Sequence, residues 1–199
     1  MTRTIFYTAT TLDGFLADPD DSLDWLLRQD LEEGGPGDYS TFLGGVGAIV
    51  MGSTTYEWVL AHENGEWGYD LPAFVFTTRE LPLPTRTSHG GAPDVRFRRG
   101  SIADALEELH AAAGERDLWV VGGGDLAGQF ADLGALDEVL TSIAPVTLGA
   151  GRPLLPRRLD LELLEVSRNA GFVVARHRVV GRLREDVQAD GASGPRSVA

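Results

Sequence analysis

Three short stretches of this chain carry residue types that bind anions, and each follows an apolar run that predicts a buried strand. They are the glycine run in "WVVGGGDLAGQF", then "GSTT" in "AIVMGSTTYE", and "TTR" in "FVFTTR". Backbone N–H groups and hydroxyls at the start of a helix bind anions, and an arginine forks onto a phosphate. Because strand ends at one edge of a covered sheet form the ligand crevice, the three stretches predict one extended, polyanionic ligand.

The glycine run also fits a dinucleotide-binding pattern. Gly122, Gly124 and Ala127 have the spacing G-x-G-x-x-A at a predicted strand-to-helix turn, where a pyrophosphate binds well. A tight turn without a ligand explains the same residues. In a Rossmann domain the pattern follows the first strand and an acid ends the next strand. Here several predicted strands come first, and Asp137 and Glu138 precede the next strand, so a dinucleotide would bind on another scaffold.

The elements that must position these stretches alternate along the chain. Predicted strands alternate with helical patterns such as "LDWLLRQDLEE" and the helix between Ser101 as N-cap and Gly114. "LDLELLEVSRN" and "GFVVARHRVVG" predict a terminal β-hairpin joined at an Asn-Ala-Gly turn. We therefore expect an α/β fold with a mixed sheet covered on both faces, forming one domain over residues 1–184 with a flexible tail over 185–199.

Composition excludes several classes of protein. The 199 residues include no Cys, and all 17 basic residues are Arg, which excludes disulfides, thiolate catalysis, a lysine Schiff base and a Walker lysine. The net charge of −13 argues against a nucleic-acid partner. The scattered histidines predict no metal site. Without a membrane-length apolar run or a signal peptide, we expect a cytoplasmic protein with no membrane partner.

The order of the motifs is similar to that of the dihydrofolate reductase family. "AIVMGSTTYE", "FVFTTR", "WVVGGGDLAGQF" and "DEVLTSIAPV" follow one another in the family's order. "IAPVTLGAGRPLLP" resembles the reductase domain of bacterial riboflavin biosynthesis, and "TTLDGFLADPDDSLDWL" resembles its uncharacterised cousins. The resemblance implies a dihydrofolate reductase-like three-layer α/β/α fold, with a mixed, mostly parallel sheet and a C-terminal β-hairpin, and it implies NADPH as cofactor.

The same resemblance implies where the cofactor binds. The pyrophosphate would lie on the glycine run and on "GSTT", the adenosine 2′-phosphate near Ser53 and "TTR", and the nicotinamide against the backbone of Ala9 and Leu16. The Gly122–Gly123 peptide bond would be cis. The family often has Arg where Ser53 stands, so the choice between NADPH and NADH stays open. The implied cofactor-binding residues are Ala9, Leu16, Gly52, Ser53, Thr54, Thr55, Thr77, Thr78, Arg79, Gly122, Gly123, Gly124, Asp125 and Leu126.

For the part of the site where hydride transfer would occur, here called the reacting end, the resemblance implies acids near a tryptophan. Asp30 follows Trp25 at the spacing of the acid that holds the pterin in dihydrofolate reductase, and Asp24 is its rival. Either would supply the proton that accompanies hydride transfer, although a solvated acidic helix face explains both residues too. The segment "EEGGPG" is an insertion that we expect to alter the substrate wall, which argues against folate. The implied substrate-binding residues are Trp25, Ser22, Thr141 and Arg152.

These expectations combine into a predicted function. The chain is expected to be an NADPH-dependent reductase that transfers hydride to a C=N or C=O bond of a small pterin- or pyrimidinone-like heterocycle. One alternative is a 5-amino-6-(5-phosphoribosylamino)uracil reductase of riboflavin biosynthesis, although Val121 replaces the acid that this branch usually has before the paired glycines. Another is a nucleotide-binding module that lacks catalysis. The resemblance also predicts a homodimer.

Overall fold

The computed structural model of the protein describes residues 2–63 and 65–185. Apart from Glu185, the tail expected over 185–199 lies outside the described residues. The helices are α1 (Asp24–Leu27), α2 (Tyr39–Gly44), α3 (Ser53–His62), α4 (Ile102–Ala113) and α5 (Gly124–Asp132). The strands are β1 (Thr4–Thr11), β2 (Phe15–Ala17), β3 (Val46–Gly52), β4 (Ala73–Phe76), β5 (Val95–Arg98), β6 (Asp117–Gly122), β7 (Glu138–Ala144), β8 (Arg152–Pro153), β9 (Leu159–Asn169) and β10 (Phe172–Arg182).

Eight strands form one sheet in the order β5-β4-β3-β6-β1-β7-β10-β9. The first six of these are mutually parallel, and the β9–β10 hairpin continues the sheet in antiparallel pairing. The short strands β2 and β8 form a separate antiparallel pair. The mixed, mostly parallel sheet and the C-terminal hairpin confirm the predicted fold class.

Helices cover both faces of the sheet because the central strands are apolar on both sides. On one face, Leu109 of α4 and Phe130 of α5 belong to a buried cluster with Phe6 of β1. On the other face, Tyr56 of α3 packs in a cluster with Ile49 of β3. The predicted three-layer arrangement is therefore present, and none of the helices in the described ranges is long and apolar enough to cross a membrane.

The helix expected over "LDWLLRQDLEE" is much shorter than predicted, because α1 ends at Leu27. A contact from the turn of the distant hairpin explains the difference. The side chain of Asn169 accepts a hydrogen bond from the N–H of Glu32 at 2.8 Å and donates to the carbonyl oxygens of Glu32 and Pro36. These bonds hold the segment in a loop, so tertiary contact overrides the helical periodicity.

Strand register brings the carboxyl ends of the parallel strands to one level. Gly52 at the end of β3 pairs with Phe76 at the end of β4, and Phe76 pairs with Arg98 at the end of β5. On the other side of β3, Met51 pairs with Gly122 at the end of β6. The three anion-binding stretches of the sequence follow these ends, so the fold places them at the same edge of the sheet.

Candidate functional site

A cavity of about 1060 Å³ opens at the carboxyl edge of the sheet. It extends from the ends of β4 and β5, across β3 and β6, to β1 and the loop before α1. This volume is at the upper end of the range for small-molecule and cofactor sites. Its position agrees with the rule that open α/β sheets bind ligands outside the carboxyl ends of their strands.

Two helices begin at the cavity without a side-chain cap. Their N-cap residues are Gly52 for α3 and Gly123 for α5, and neither helix receives a capping hydrogen bond from a described side chain. By contrast, Asp38 caps α2 by accepting from the N–H of Thr41, and Ser101 caps α4 by accepting from the N–H of Asp104, while the short α1 also has no side-chain cap. The first N–H groups of a helix have no intrahelical partner. Two sets of unsatisfied donors and two positive helix ends therefore meet at one cavity.

The three consecutive glycines meet three different environments. A Cβ on Gly122 would lie 3.1 Å from Oγ1 of Thr55, and one on Gly124 would lie 2.2 Å from the carbonyl oxygen of Leu154, whereas one on Gly123 would meet nothing within 4 Å. The Gly122–Gly123 peptide bond is cis, as the resemblance predicted. Gly124 is therefore required by packing, since α5 begins in direct contact with the backbone that follows β8.

The adenine-side wall that we predicted from "TTR" has a different composition in the structure. Thr77 and Thr78 line the cavity, but Arg79 does not. Both terminal nitrogens of Arg79 bond to the carboxylate of Glu57, at 3.2 and 2.6 Å. Arg99, just after β5, lines the cavity instead. Arg79 is thus engaged by Glu57 and does not line the cavity, whereas an arginine from a different strand end does.

The opposite wall is formed by the loop before α1 and by β8. Arg152 bonds to both carboxylate oxygens of Asp21, at 2.5 and 2.8 Å, and its hydrogen bond lowers the pKa of Asp21. Leu23 and Leu26 add an apolar lining, and Trp58 of α3 adds an aromatic one. This end of the cavity is suited to a flat and largely apolar group.

Most of the predicted cofactor-binding residues are brought together at this cavity. All of them except Arg79 line it: Ala9, Leu16, Gly52, Ser53, Thr54, Thr55, Thr77, Thr78, Gly122, Gly123, Gly124, Asp125 and Leu126. The carboxylate of Asp125 accepts hydrogen bonds from Gln129 and Arg157. These bonds, that from Gln129 foremost, lower the pKa of Asp125.

Few of the residues predicted for the reacting end line the cavity. Arg152 lines the cavity, but Asp24 and Asp30 are exposed outside it. Trp25 is 5% exposed in a cluster with Phe172, and its indole N–H has no partner in the described part of the chain. The catalytic roles given to the two acids stay predictions.

The hydroxyls of the same group are also engaged away from the cavity. Ser22 accepts from the N–H of Asp24 at 3.1 Å, and Thr141 is buried with its hydroxyl donating to the carbonyl oxygen of Ala175. The insertion "EEGGPG" does not line the cavity either. It packs against the hairpin, where the side chain of Asn169 donates to the carbonyl oxygen of Pro36 at 3.0 Å, and against β1, where the hydroxyl of Tyr7 donates to the carbonyl oxygen of Gly37 at 2.9 Å. The insertion therefore does not line this cavity, and its effect on the substrate wall stays a prediction.

Sequence reasoning missed several residues that line the cavity. One signal was available, because "RFRRG" ends a predicted exposed strand and so brings arginines to the same edge as "TTR". The others lie on β1, in the loop before α1 and on three helices, where periodicity gives no direction toward the cavity. The missed residues include Thr8, Asp20, Asp21, Leu23, Leu26, Trp58, Arg98, Arg99 and Gln129. Within residues 2–63 and 65–185 there is also no group of three or more metal-binding side chains.

Comparison with protein families gives a match over nearly the whole chain. The sequence model of the RibD C-terminal domain family matches residues 3–170. Two similar proteins come from Bacillus subtilis strain 168. The uncharacterized protein YwjB is 31% identical over 158 residues, covering 76% of this chain and 82% of YwjB. The uncharacterized protein YyaP is 27% identical over 179 residues, covering 86% of this chain and 92% of YyaP.

Solved structures show the same fold. A protein from Shewanella sp. PV-4, provisionally assigned to riboflavin biosynthesis, superposes with a TM-score of 0.71 at 25% identity, over 90% of this chain and 99% of that one. A pyrimidine reductase-like protein from Corynebacterium diphtheriae has a TM-score of 0.63 at 16% identity, over 90% and 92% of the chains. A deaminase/5-amino-6-(5-phosphoribosylamino)uracil reductase from Thermotoga maritima has a TM-score of 0.59 at 16% identity, and 56% of that longer chain is covered.

Proposed function

The chain belongs to the RibD C-terminal domain family, and we propose that it is an NADPH-dependent reductase that transfers hydride to a C=N or C=O bond of a small heterocycle. One observation carries the proposal: two helices begin without side-chain caps at a single cavity large enough for a dinucleotide. A pyrophosphate with two negative phosphates needs donors on both sides. The starts of α3 and α5 provide them as backbone N–H groups with favourable helix dipoles.

The described residues fit NADPH in the orientation expected from the family. The pyrophosphate would be held by the N–H groups that follow Gly52 and Gly123, and the adenosine end would lie along Thr77 and Thr78 at the end of β4. The nicotinamide would lie against the backbone of Ala9 and Leu16, which line the other part of the cavity. When bound, NADPH supplies the hydride. The chain's own residues orient it and exclude water from the apolar end of the cavity.

The substrate wall favours an unphosphorylated heterocycle over a phosphoribosyl compound. A substrate phosphate needs a free cation, but Arg152 at this end already bonds to both oxygens of Asp21. Asp20 and Asp21 add negative charge to the same wall, which would repel a phosphate. Trp58 offers an aromatic surface on which a flat ring can stack. A pterin-, pyrimidinone- or quinone-like compound therefore fits better than the 5-amino-6-(5-phosphoribosylamino)uracil of the alternative reading.

The proton donor is a separate part of the proposal. Asp30 and Asp24 remain the candidates; Asp30 would have to reach the substrate by movement of the loop between α1 and α2, and Asp24 by movement of α1 itself. A general acid contributes roughly 10²–10⁴-fold to the rate. Asp30→Asn or Asp24→Asn should therefore lower kcat at least about 100-fold with unchanged NADPH affinity, whichever acid is the donor. If neither variant changes kcat, the proton comes from elsewhere.

We also propose a homodimer that forms through one face of the terminal hairpin. Leu161, Leu163, Val166 and Val173, here called the hairpin patch, are 43–60% exposed. The β9–β10 register places them on one face of the hairpin, since the first three pair with Val179, His177 and Ala175, which alternate with Val173 along β10. Contiguous exposed apolar surface of this kind marks an association site, and a second copy would bury the same patch twice.

Two measurements test the reductase proposal. In thermal-shift experiments, NADPH at about 100 times its Kd should stabilise the protein by about 2.7 kcal/mol, which raises Tm by roughly 5–10 °C for a chain of this size. NADPH oxidation is then followed with pterins, pyrimidinones, quinones and the phosphoribosylaminouracil. Stabilisation without turnover of any compound would favour the silent nucleotide-binding module. Turnover of the phosphoribosyl compound alone would favour the riboflavin enzyme, and the absence of any NADPH effect would refute the proposal.

A further inference from the structure

We infer that Arg99 binds a phosphate monoester at the β5 end of the cavity, and that this contact selects NADPH over NADH. The inference rests on the proposed function, because it concerns the 2′-phosphate that distinguishes the two cofactors. It assigns the contact to a residue on a different strand from Arg79, which the sequence pattern had suggested.

The position of Arg99 follows from strand register. Phe76 of β4 pairs with Arg98 of β5, and the N–H of Thr77 donates to the carbonyl oxygen of Arg98 at 3.0 Å. Arg99 therefore leaves β5 beside Thr77 and Thr78, at the carboxyl edge of the sheet. All three residues line the cavity, so their side chains are available to one ligand group.

Charge pairing separates Arg99 from the other arginines of the cavity. Arg98 bonds to the carboxylate of Glu108, and Arg152 bonds to that of Asp21. Arg99 is exposed, and among residues 2–63 and 65–185 it has no hydrogen-bond or ion-pair partner. Among the described arginines that line the cavity, it is the one with its full donor set available to a ligand.

The surroundings match a phosphate monoester better than a carboxylate or a neutral group. The hydroxyls of Ser53, Thr77 and Thr78 lie along the same part of the cavity and can each donate to a phosphate oxygen. The guanidinium presents a planar fork that fits two such oxygens. Glu57 of α3 also lines the cavity, but it is paired with Arg79. Arg79 thus removes a repulsive charge and leaves the binding contact to Arg99.

The test compares two ligands that differ by one phosphate. Calorimetric titration measures the Kd of 2′,5′-ADP and of 5′-AMP, and then of NADPH and NADH, for the wild type and for Arg99→Ala. Because charge-assisted bonds are strong but this site is open to solvent, we expect Arg99→Ala to weaken 2′,5′-ADP and NADPH roughly 10-fold at low salt. The Kd values of 5′-AMP and NADH should stay within about twofold of the wild type.

Arg116→Ala is the matched control. Arg116 is also exposed, its side chain also has no partner among the described residues, and it precedes β6 at the opposite edge of the sheet. Arg116→Ala changes the net charge by the same amount as Arg99→Ala, but far from the cavity, so it should leave the Kd values of all four ligands unchanged. Tm values without ligand that equal that of the wild type would show that both variants fold. Arg99→Lys should keep part of the preference, because it keeps the charge but loses the fork.

The outcomes separate this inference from the proposed function. A wild type that binds NADPH and NADH equally, or an Arg99→Ala variant that weakens all four ligands alike, would overturn the role of Arg99 while leaving the reductase intact. The same holds if Arg79→Ala abolishes the preference and Arg99→Ala does not. A wild type that binds none of the four ligands would remove the proposed function and this inference together.

Discussion

Gly124→Ala tests the close contact between the glycine run and the segment after β8. The added Cβ would lie 2.2 Å from the carbonyl oxygen of Leu154 and 2.4 Å from that of Pro153. Carbon–oxygen contacts in proteins are about 3.3–3.6 Å, so one of the two segments must move by about 1 Å. The obstacle is backbone, and the N–H of Leu154 is bonded to the carbonyl oxygen of Gly14 at 2.9 Å. A side-chain rotation therefore cannot relieve the clash.

The expected loss of stability follows from two opposing contributions. Overpacking that forces backbone shifts costs typically 1–3 kcal/mol, and a double contact with backbone belongs at the upper end. Alanine is favoured over glycine in a helix by up to about 1 kcal/mol, and Gly124 is the first residue of α5. The net destabilisation is therefore about 2 kcal/mol, which lowers Tm by roughly 4–8 °C in a chain of 199 residues.

The matched control is Gly44→Ala at the end of α2. Gly44 is also helical, but a Cβ there would meet nothing within 4 Å. Urea unfolding and thermal melting of both variants should therefore give a clear loss for Gly124→Ala and no loss, or a gain of up to about 1 kcal/mol, for Gly44→Ala. Equal stabilities for the two variants would refute the packing argument.

Three further predictions concern charge and association. The Thr11 hydroxyl and backbone N–H groups of the loop after β7 bond to Asp13 and lower its pKa. Asp13→Asn should therefore lower Tm near neutral pH, and the Tm difference from the wild type should shrink as the pH falls from about 4 through that lowered pKa. A Tm difference that stays constant with pH would contradict this. Glu138→Gln should cost roughly 1–2 kcal/mol in urea unfolding, because the buried carboxylate bonds to two arginines, and an unchanged midpoint would show that the pairs are weak. Leu163→Asp should convert a dimer into a monomer in light scattering, whereas Leu133→Asp, at an exposed residue just after α5, should not.

Most of the fold could be predicted because its signals are local. The alternating hairpin strands, the Ser101 cap of α4 and the Gly114 that ends it, with φ of 65°, all agree with their sequence patterns. The helix expected over "LDWLLRQDLEE" was not predicted correctly beyond Leu27. The N–H of Glu32 bonds to the side chain of Asn169, which lies more than a hundred residues further along the chain. Local periodicity carries no information about such a contact.

In the candidate site too, local sequence could place some residues and could not place others. Glycines and hydroxyls that directly follow strands could be placed at the cavity, because strand register alone brings them there. Side chains in the loop before α2 could not, since that loop is set by its contact with the hairpin, and Asp30 is exposed as a result. The choice between Arg79 and Arg99 depended on Glu57, which is on α3 and captures the nearer arginine. Which charge is neutralised is a property of the packed structure.

Packing does not explain why glycine occupies the N-caps of α3 and α5. A Cβ at Gly52 or Gly123 would meet nothing within 4 Å, and their φ angles of −84° and −93° are open to any residue. A glycine N-cap is only a few tenths of a kcal/mol less stable than Ser or Asp, so helix stability does not select it strongly either. A Ser or Asp side chain there would accept the N–H bonds and occupy the space in front of them. Glycine keeps both helix ends open to the cavity, which is what an anionic ligand requires.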